Sequence, residues 1–303
     1  MFEKMIKMQT AKQEKMLENW LRKREQGYSL PESVILTENV DYMGDGLACH
    51  RMDIYQPSAG RGFPVLVNIH GGGFLLGKKE VNRQFCADMC QRGFLVFCLE
   101  YPLVPQVSIF EIFRDLTAGI NKVGELAEKY NGDISRLCLC GDSAGAYLCV
   151  YLAAMQRSLA IAEAAGVAQI VPPIRAIGLI SGMFYTKKRD QIGMFLPNMV
   201  YGQGWRRGAF APYIDPENRE LVGSLTPSFI VTARGDFLRH YSRQFAAALG
   251  RAGAPHQFLD IDAGKKLSHA FSAMLPEIPE SRQANDAMAE YLLANSYGVT
   301  TKQ

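Results

Sequence analysis

Short apolar runs alternate with longer amphipathic segments over most of the chain. Six runs are rich in Val, Ile, Leu and Phe, as is typical of buried strands, and they lie at residues 65–69, 94–99, 137–140, 176–180, 228–233 and 257–261. Segments with the spacing of helices lie at about 79–92, 107–130, 144–165, 237–252 and 280–297. Strands that alternate with helices predict an α/β protein, with a mainly parallel sheet covered by helices on both faces.

Three other parts of the chain have a different pattern. Residues 34–56 alternate apolar and polar positions around a Gly-Asp-Gly turn, which predicts a β-hairpin. Residues 1–27 are charged and rich in Met, and their spacing predicts an amphipathic helix on the body of the protein. The segment 183–223 contains no clear strand, and we expect it to lie over the carboxyl edge of the sheet. Because no repeat or linker divides the chain, we expect one domain over residues 1–303.

The composition excludes several classes of protein. The 303 residues are 48% hydrophobic and 21% charged, as is ordinary for a globular protein. The net charge of +3 is too small to suggest a nucleic-acid partner. No apolar run approaches the ~18–20 residues that span a bilayer, and no secretory signal is evident, so we expect a cytoplasmic protein. The seven cysteines form no CxxC pair, which predicts reduced core thiols and no metal site.

The sequence Gly-Asp-Ser-Ala-Gly at residues 141–145 follows the apolar run 137–140 and precedes a helical segment rich in Ala and Leu. A G-x-S-x-G motif between a strand and a helix is typical of a nucleophile elbow. Its glycines allow a tight turn that exposes the serine hydroxyl, and the positive end of the helix points towards the reacting centre. This motif therefore predicts Ser143 as a nucleophile.

A second glycine motif, His-Gly-Gly-Gly-Phe at residues 70–74, directly follows the run 65–69. Consecutive glycines leave their backbone amides unobstructed, which is what the stabilisation of a tetrahedral oxyanion requires. We therefore expect this loop to lie in the same cleft as Ser143. A merely flexible glycine turn is the alternative interpretation.

A nucleophilic serine needs a base, and the chain contains five histidines. His70 belongs to the glycine loop, His50 lies in the hairpin, and His256 begins the last strand run. His269 lies in a loop between that run and the final helix, so it is the preferred base. His240, one turn into a helix, is the alternative base.

An acid that orients the base is expected between the serine and the histidine in the sequence, at the end of a strand. Asp236 meets both conditions, whereas its competitors Asp260 and Asp262 lie within or just past the last strand run. An N-cap of the following helix is the alternative role for Asp236. The order Ser143, Asp236, His269 is the one expected for an α/β-hydrolase triad.

These motifs resemble those of the hormone-sensitive-lipase-like esterases of the α/β-hydrolase fold, over roughly residues 40–297. The resemblance rests on the two glycine motifs, on Asp236, and on His-Ala-Phe at residues 269–271. It implies an eight-stranded, mainly parallel sheet flanked by helices, and hydrolysis of short-chain esters without a metal or organic cofactor.

The resemblance also implies a cap and an oxyanion hole. The cap would be small and helical, formed by about residues 1–30 and by the insertion 183–223. By position, the oxyanion donors would be the backbone amides of Gly72, Gly73 and Ala144.

The sequence as a whole predicts a serine carboxylesterase that hydrolyses a small-molecule ester through an acyl-enzyme intermediate. Candidate substrate-binding residues are Phe74, Leu75, Phe184 and Trp205. Packing of the insertion against the body is the alternative role for the aromatic residues in it. An arylformamidase or peptidase reaction on the same triad is an alternative function, and a non-enzymatic binding protein is a further one. The sequence leaves open the acyl length, the alcohol and whether the chain forms a homo-oligomer.

Overall fold

The structure is a computed structural model that describes residues 2–188, 191–264 and 266–297. Eight strands form one sheet, and they are β1 (Val34–Asp41), β2 (Arg51–Pro57), β3 (Phe63–Ile69), β4 (Leu95–Leu99), β5 (Gly132–Asp142), β6 (Ile174–Ile180), β7 (Ser228–Ala233) and β8 (His256–Ile261). The α-helices in the described residues are α1 (Phe2–Glu25), α2 (Arg83–Gln91), α3 (Ile109–Leu126), α4 (Ala144–Arg157), α5 (Leu159–Ala165), α6 (Gln191–Val200), α7 (Arg219–Gly223), α8 (Arg239–Ala252), α9 (Phe271–Met274) and α10 (Pro279–Asn295).

The strands lie in the order β1-β2-β4-β3-β5-β6-β7-β8. Strand β2 is antiparallel to its neighbours β1 and β4, and the pairs from β4 through β8 are parallel. The predicted hairpin and the predicted eight-stranded, mainly parallel sheet are therefore confirmed. Because parallel strands end at the same edge, the loops that follow β3, β5, β7 and β8 meet at one side of the sheet.

Apolar side chains fill the space on both faces of the sheet. Val65 and Val67 of β3 belong to the cluster that includes residues of α3, α4 and α8, whereas Leu66 belongs to the cluster that includes residues of α2 and α10. Side chains of successive strand residues point to opposite faces, so a strand that is buried on both faces needs an uninterrupted apolar run. This explains why the runs in the sequence are continuous rather than alternating.

Several helix boundaries differ from the sequence prediction. The predicted helix over residues 144–165 is divided into α4 and α5 at Ser158, whose backbone is extended and whose hydroxyl accepts a hydrogen bond from the N–H of Ile161 at 3.3 Å. The predicted helix over residues 79–92 begins as a 3₁₀ turn before α2. The break at Ser158 reflects local side-chain capping, which hydrophobic spacing does not reveal.

The insertion 183–223 contains α6, α7 and two 3₁₀ turns, and no strand among its described residues. A hydroxyl pair joins it to the body, because Tyr201 Oη lies 2.6 Å from Tyr147 Oη of α4; Tyr201 Oη also lies 2.7 Å from Oγ1 of Thr186, within the insertion. All three of these side chains are buried. The insertion is thus packed onto the helix that follows Ser143.

Helix α1 lies on the body through its carboxyl-terminal half. Leu21 is buried, and Arg24 bonds to Glu277 at 2.5 Å and also to Gln84. None of the described helices combines the length and the apolar character needed to cross a membrane.

Candidate active site

The turn between β5 and α4 carries Ser143 in a conformation that is rare for a residue with a side chain, with φ 52° and ψ −113°. A Cβ on Gly145 would lie 1.9 Å from the carbonyl oxygen of Ile69, and a Cβ on Gly141 would lie 2.6 Å from the backbone of Gly145. Both glycines are therefore required by close approach of the backbone. The N–H of Ser143 donates to the carbonyl of Ile180 at 2.8 Å, which anchors the turn to β6.

Asp236, in the loop after β7, is bonded to His269, in the loop after β8. Its Oδ1 lies 2.7 Å from His269 Nδ1 and accepts the N–H of Leu238 at 2.8 Å, while its Oδ2 accepts the hydroxyl of Thr232 at 2.8 Å. Burial alone raises the pKa of Asp236, but the hydrogen bond and the charge of His269, together with the N–H of Leu238, hold that pKa below its ordinary value. Asp236 is therefore held as a carboxylate against the imidazole.

The alternative triad members are engaged elsewhere. Asp260 Oδ1 lies 2.8 Å from the guanidinium of Arg239, and Asp262 Oδ1 lies 3.3 Å from that of Arg234. The ring of His240 packs against a neighbouring tyrosine, with 4.4 Å between ring centroids. Among the described residues, the structure thus pairs Asp236 with His269, and none of the alternatives takes part in this pair.

A cavity of about 680 Å³ brings the candidate nucleophile and base together with the glycine loop. Its described lining residues are Met16, Leu17, Trp20, Gly71, Gly72, Gly73, Leu75, Leu76, Gly77, Val81, Asp142, Ser143, Met183, Phe237, Leu238, His269, Ala270 and Met274. Most of these side chains are apolar, and the ionisable ones are Asp142 and His269. A cavity of this kind accepts a neutral, apolar group beside one hydroxyl and one imidazole.

The glycine loop presents amide groups without protein partners. In the described part of the chain, the N–H groups of Gly72 and Gly73 donate to no protein acceptor, and Ala144, as the first residue of α4, has no acceptor within its helix. Gly72 has φ 119°, and a Cβ there would lie 1.9 Å from the carbonyl oxygen of Leu76. Three free amide donors therefore lie on the two loops that flank Ser143.

A buried polar network supports the glycine loop. Asp142 Oδ1 accepts the N–H of Gly71 at 3.0 Å and the amide of Asn82 at 2.8 Å. His70 Nε2 lies 2.8 Å from Glu100 Oε1; although burial alone lowers the pKa of His70, the charge of Glu100 raises that pKa above its ordinary value. The sequence analysis missed Asp142, Asn82 and Glu100. The only signal for Asp142 was its position inside the G-x-S-x-G motif.

The four candidate substrate residues lie in different environments. Leu75 lines the cavity, whereas Phe74, Phe184 and Trp205 are absent from its described lining. Phe74 is fully buried and packs edge-on against an aromatic ring of α4, and Phe184 stacks on a ring of α8. The indole N–H of Trp205 donates to a side-chain amide of α6 at 3.1 Å. From the insertion, Met183 is the described residue that lines the cavity.

Helix α1 supplies a wall of the cavity that the sequence analysis did not assign to substrate binding. Met16, Leu17 and Trp20 line the cavity. Their spacing within an amphipathic segment was the available signal. It indicated an apolar face, but it could not show what that face covers.

Comparison with known proteins agrees with this geometry. A family model described as the alpha/beta hydrolase fold matches residues 66–272, which is more than half of the chain. The protein therefore belongs to the α/β-hydrolase family. Its relatives also confirm the resemblance to hormone-sensitive-lipase-like esterases.

Similar curated proteins are named as esterases. The chain is 31% identical to a carboxylesterase, NlhH of Mycobacterium tuberculosis, over 265 residues, covering 84% of this chain and 81% of the relative. It is 30% identical over 236 residues to an isoprenylcysteine alpha-carbonyl methylesterase of Arabidopsis thaliana. It is also 27% identical over 219 residues to a probable isoprenylcysteine alpha-carbonyl methylesterase of the same plant. The alignments cover 73% and 68% of this chain, but 54% and 46% of the plant proteins. The chain thus spans about half the length of these plant relatives.

Solved structures of esterases share the fold. Esterase B from Lactobacillus rhamnosis has a TM-score of 0.88 at 21% identity, covering 97% of this chain and 96% of that chain. A hyperthermophilic esterase from the archaeon Pyrobaculum calidifontis has a TM-score of 0.72, also at 21% identity, covering 97% and 94%. At this level of identity, the likeness establishes the α/β-hydrolase fold of the chain.

Proposed function

We propose that the protein is a serine carboxylesterase that hydrolyses small-molecule esters through an acyl-enzyme intermediate. The observation that carries the proposal is the convergence of Ser143, His269 and the glycine loop on one apolar cavity, with Asp236 bonded to His269. The esterase names of the relatives support the reaction type. The apolar lining supports a neutral substrate rather than a charged one.

In the proposed mechanism, the hydroxyl of Ser143 attacks the ester carbonyl while His269 takes its proton. Asp236 holds the imidazole tautomer and stabilises the imidazolium that forms. The developing oxyanion accepts hydrogen bonds from the amides of Gly72, Gly73 and Ala144, and the loss of one such donor typically lowers kcat by ~10²–10³.

The second half of the reaction uses the same groups. His269 returns its proton to the leaving alcohol, and a water molecule then enters in place of that alcohol. His269 takes a proton from the water as the water attacks the acyl carbon, and it gives this proton to Ser143 Oγ as the bond to the serine breaks and the acid leaves. In this proposal the chain is a single domain, and residues of about 1–30 and 183–223 form its cap. Most of the described cap residues that line the cavity belong to helix α1.

Substitution of the nucleophile tests the proposal. We expect Ser143→Ala to reduce hydrolysis of p-nitrophenyl acetate by at least about 10⁴-fold, because the covalent route is removed while the fold is kept. A fluorophosphonate probe should label the wild type and not Ser143→Ala, and Ser135→Ala, an exposed serine on β5, should behave as the wild type. Labelling of Ser143→Ala to the same extent as Ser135→Ala would contradict the proposed nucleophile.

The substrate class is tested on the same protein. We expect short-chain acyl esters to be hydrolysed faster than an aryl formamide or a peptide amide at equal concentration. Faster turnover of the formamide or the peptide would replace the esterase proposal with a different acyl transfer on the same triad, while absence of labelling and turnover would favour a binding protein.

A further inference from the structure

Phe237, the residue after Asp236, leaves a large aromatic surface in solvent next to the candidate base. Its side chain is 66% exposed, and its ring centroid lies 4.4 Å from that of His269. The position is fixed on both sides, because Asp236 accepts the N–H of Leu238 and Leu238 itself is buried. Phe237 is therefore held against the imidazole while most of its ring remains uncovered.

Two of the exposed large apolar side chains lie at this cavity, which points to a ligand that covers them. The described large hydrophobic residues that are exposed are Met16, Ile35, Met43, Leu47, Leu159, Val171, Phe237 and Tyr297. Of these, Met16 and Phe237 line the active-site cavity. When a ligand removes exposed apolar surface at the mouth of a cavity from water, the free energy of the complex falls and binding is favoured.

The chemistry of ester hydrolysis decides which part of a substrate meets Phe237. His269 protonates the leaving alcohol, so the alcohol oxygen must come within hydrogen-bond reach of the imidazole. The ring that touches this imidazole therefore lies next to the group attached to that oxygen. The contact belongs to the alcohol part of the ester.

The charges near Phe237 favour an uncharged alcohol. Among the described residues that line the cavity, Asp142 and His269 are ionisable, and Asp142 already accepts the N–H of Gly71. Arg234 and Arg239, which flank Phe237 in the sequence, are each paired with an aspartate. No described Lys or Arg lines the cavity to pair with a phosphate on the alcohol, and the one lining carboxylate, Asp142, is already hydrogen-bonded to Gly71 and Asn82.

We propose that Phe237 binds the alcohol moiety, and that the substrate is an ester of an apolar alcohol with an aromatic or extended alkyl group. This inference rests on the proposed esterase function and assigns the alcohol side of the same cavity. Phe237 is a specificity-determining residue in this proposal, and Met16 and Trp20 of α1 complete the apolar mouth.

A series of acetate esters tests the inference, because the acyl group stays constant. Ethyl, butyl, hexyl and 2-phenylethyl acetate have alcohols of similar basicity, so differences in kcat/KM report binding of the alcohol rather than its leaving ability. For the wild type, we expect kcat/KM to rise along the series. For Phe237→Ala, the ratio of kcat/KM for 2-phenylethyl acetate to that for ethyl acetate should fall about tenfold. The same ratio for Phe237→Leu should lie between those of the wild type and Phe237→Ala.

The ratio separates alcohol binding from a general effect on His269, since a general effect changes both esters equally and cancels. Tyr297→Ala removes an aromatic side chain that is 71% exposed elsewhere, and it should keep the wild-type ratio. An unchanged ratio in Phe237→Ala, or a wild type that does not discriminate among these alcohols, would overturn the inference. So would a Phe237→Ala protein whose altered preference appears instead in ethyl esters of different acyl length.

Failure of the proposed function has a different signature. In that case, the wild type would hydrolyse none of the acetates and would not react with a fluorophosphonate, which removes both proposals together. Labelling of Ser143 and turnover of ethyl acetate, with no effect of Phe237 on the ratio, would retain the esterase and reject the alcohol site.

Discussion

At the residue scale, the candidate site depends on charges and amides that are fixed before any substrate arrives. Asp236 accepts three hydrogen bonds, from His269, Leu238 and Thr232, so its carboxylate is satisfied although it is buried. The N–H groups of Gly72 and Gly73 donate to no acceptor among the described residues, and in the proposed mechanism they bind the oxyanion. A site that is preorganised in this way stabilises developing charge without reorganising during the reaction.

The lowered pKa of Asp236 makes a prediction about stability. Its folded-state pKa lies below the ordinary value of 3.8, so its ionised form contributes stability that is fully present above that value and is lost as pH falls through the folded-state pKa. We expect Asp236→Asn to lower the free energy of unfolding at neutral pH. The difference from the wild type should stay constant down to about pH 4 and shrink as the pH falls further. Urea unfolding followed by circular dichroism measures it.

The matched control is Asp262→Asn. The pKa of Asp262 is also lowered, chiefly by the N–H of Gly264, but its side chain is 58% exposed and its ion pair with Arg234 is screened by solvent. We therefore expect a much smaller loss of stability at neutral pH. A difference between wild type and Asp236→Asn that stays constant over the whole pH range would contradict the linkage.

The residues of the site differ in how far the sequence could predict them. Ser143 carries a motif, and the preference for His269 and Asp236 over their competitors follows from position relative to predicted strands. Asn82 and Glu100 carry no motif, because a buried amide or carboxylate that supports a loop is recognised only by its partners. Those partners lie 60 and 30 residues away in the sequence.

At the element scale, helix α1 and the insertion 183–223 have unequal roles at the cavity. Three described residues of α1 line it, whereas the insertion contributes Met183. The aromatic residues of the insertion instead pack among themselves and against the body; Phe210, for example, lies 5.6 Å from Tyr151 of α4 between ring centroids. Their contribution is therefore burial of apolar surface, which stabilises the insertion on the body of the protein.

The two tryptophans of the chain make this difference testable. Trp20 of α1 lines the cavity, and Trp205 of the insertion lies outside its described lining. We expect Trp20→Ala to raise KM for an apolar ester about 5- to 10-fold, because apolar surface that covers the substrate is removed. Steady-state kinetics with hexyl acetate measures the change.

Trp205→Ala is the control for this prediction. It removes the same side chain from a partly exposed position whose contacts are with Asn198 and Tyr201, so KM should stay within about twofold of the wild type. The opposite result, with KM raised by Trp205→Ala and unchanged by Trp20→Ala, would assign the substrate wall to the insertion.

The strands were predictable because a strand buried on both faces needs an apolar side chain at nearly every position. The run 228–233 coincides with β7, and the other runs lie within their strands or extend past them by one residue. Helix ends were less predictable, as the division at Ser158 illustrates. The orientation of α1 over the cavity depends on tertiary contacts such as the bond from Arg24 to Glu277, which lie outside any local pattern.

At the scale of the whole molecule, parallel pairing brings distant parts of the chain to one edge. The loops after β3, β5, β7 and β8 carry the glycine motif, Ser143, Asp236 and His269, which span 200 positions of the sequence.

Close packing of the whole molecule also surrounds the thiols of the cysteines. Six of the seven cysteines are buried and Cys49 is partly buried, and all seven are free.

Burial of the thiols predicts slow reaction with thiol reagents. Burial raises the pKa of Cys90 and of Cys138 to about 12, and that of the partly buried Cys49 is also raised, so little thiolate is present at neutral pH. We expect Ellman's reagent to label fewer than one thiol per chain rapidly in the folded protein. Unfolding in guanidinium should release all seven. Rapid labelling of several thiols without unfolding would contradict this packing.

The sequence by itself determined the strands, the class of fold and the order of the candidate catalytic residues, because each of these is set by local hydrophobic spacing or by a short motif. The tertiary structure decided which surface faces the cavity. Trp20 and Phe237 became its walls, while Phe184 and Trp205 were directed elsewhere. The physical reason is that a side chain's environment depends on neighbours supplied by other elements, and the sequence pattern of one element does not specify them.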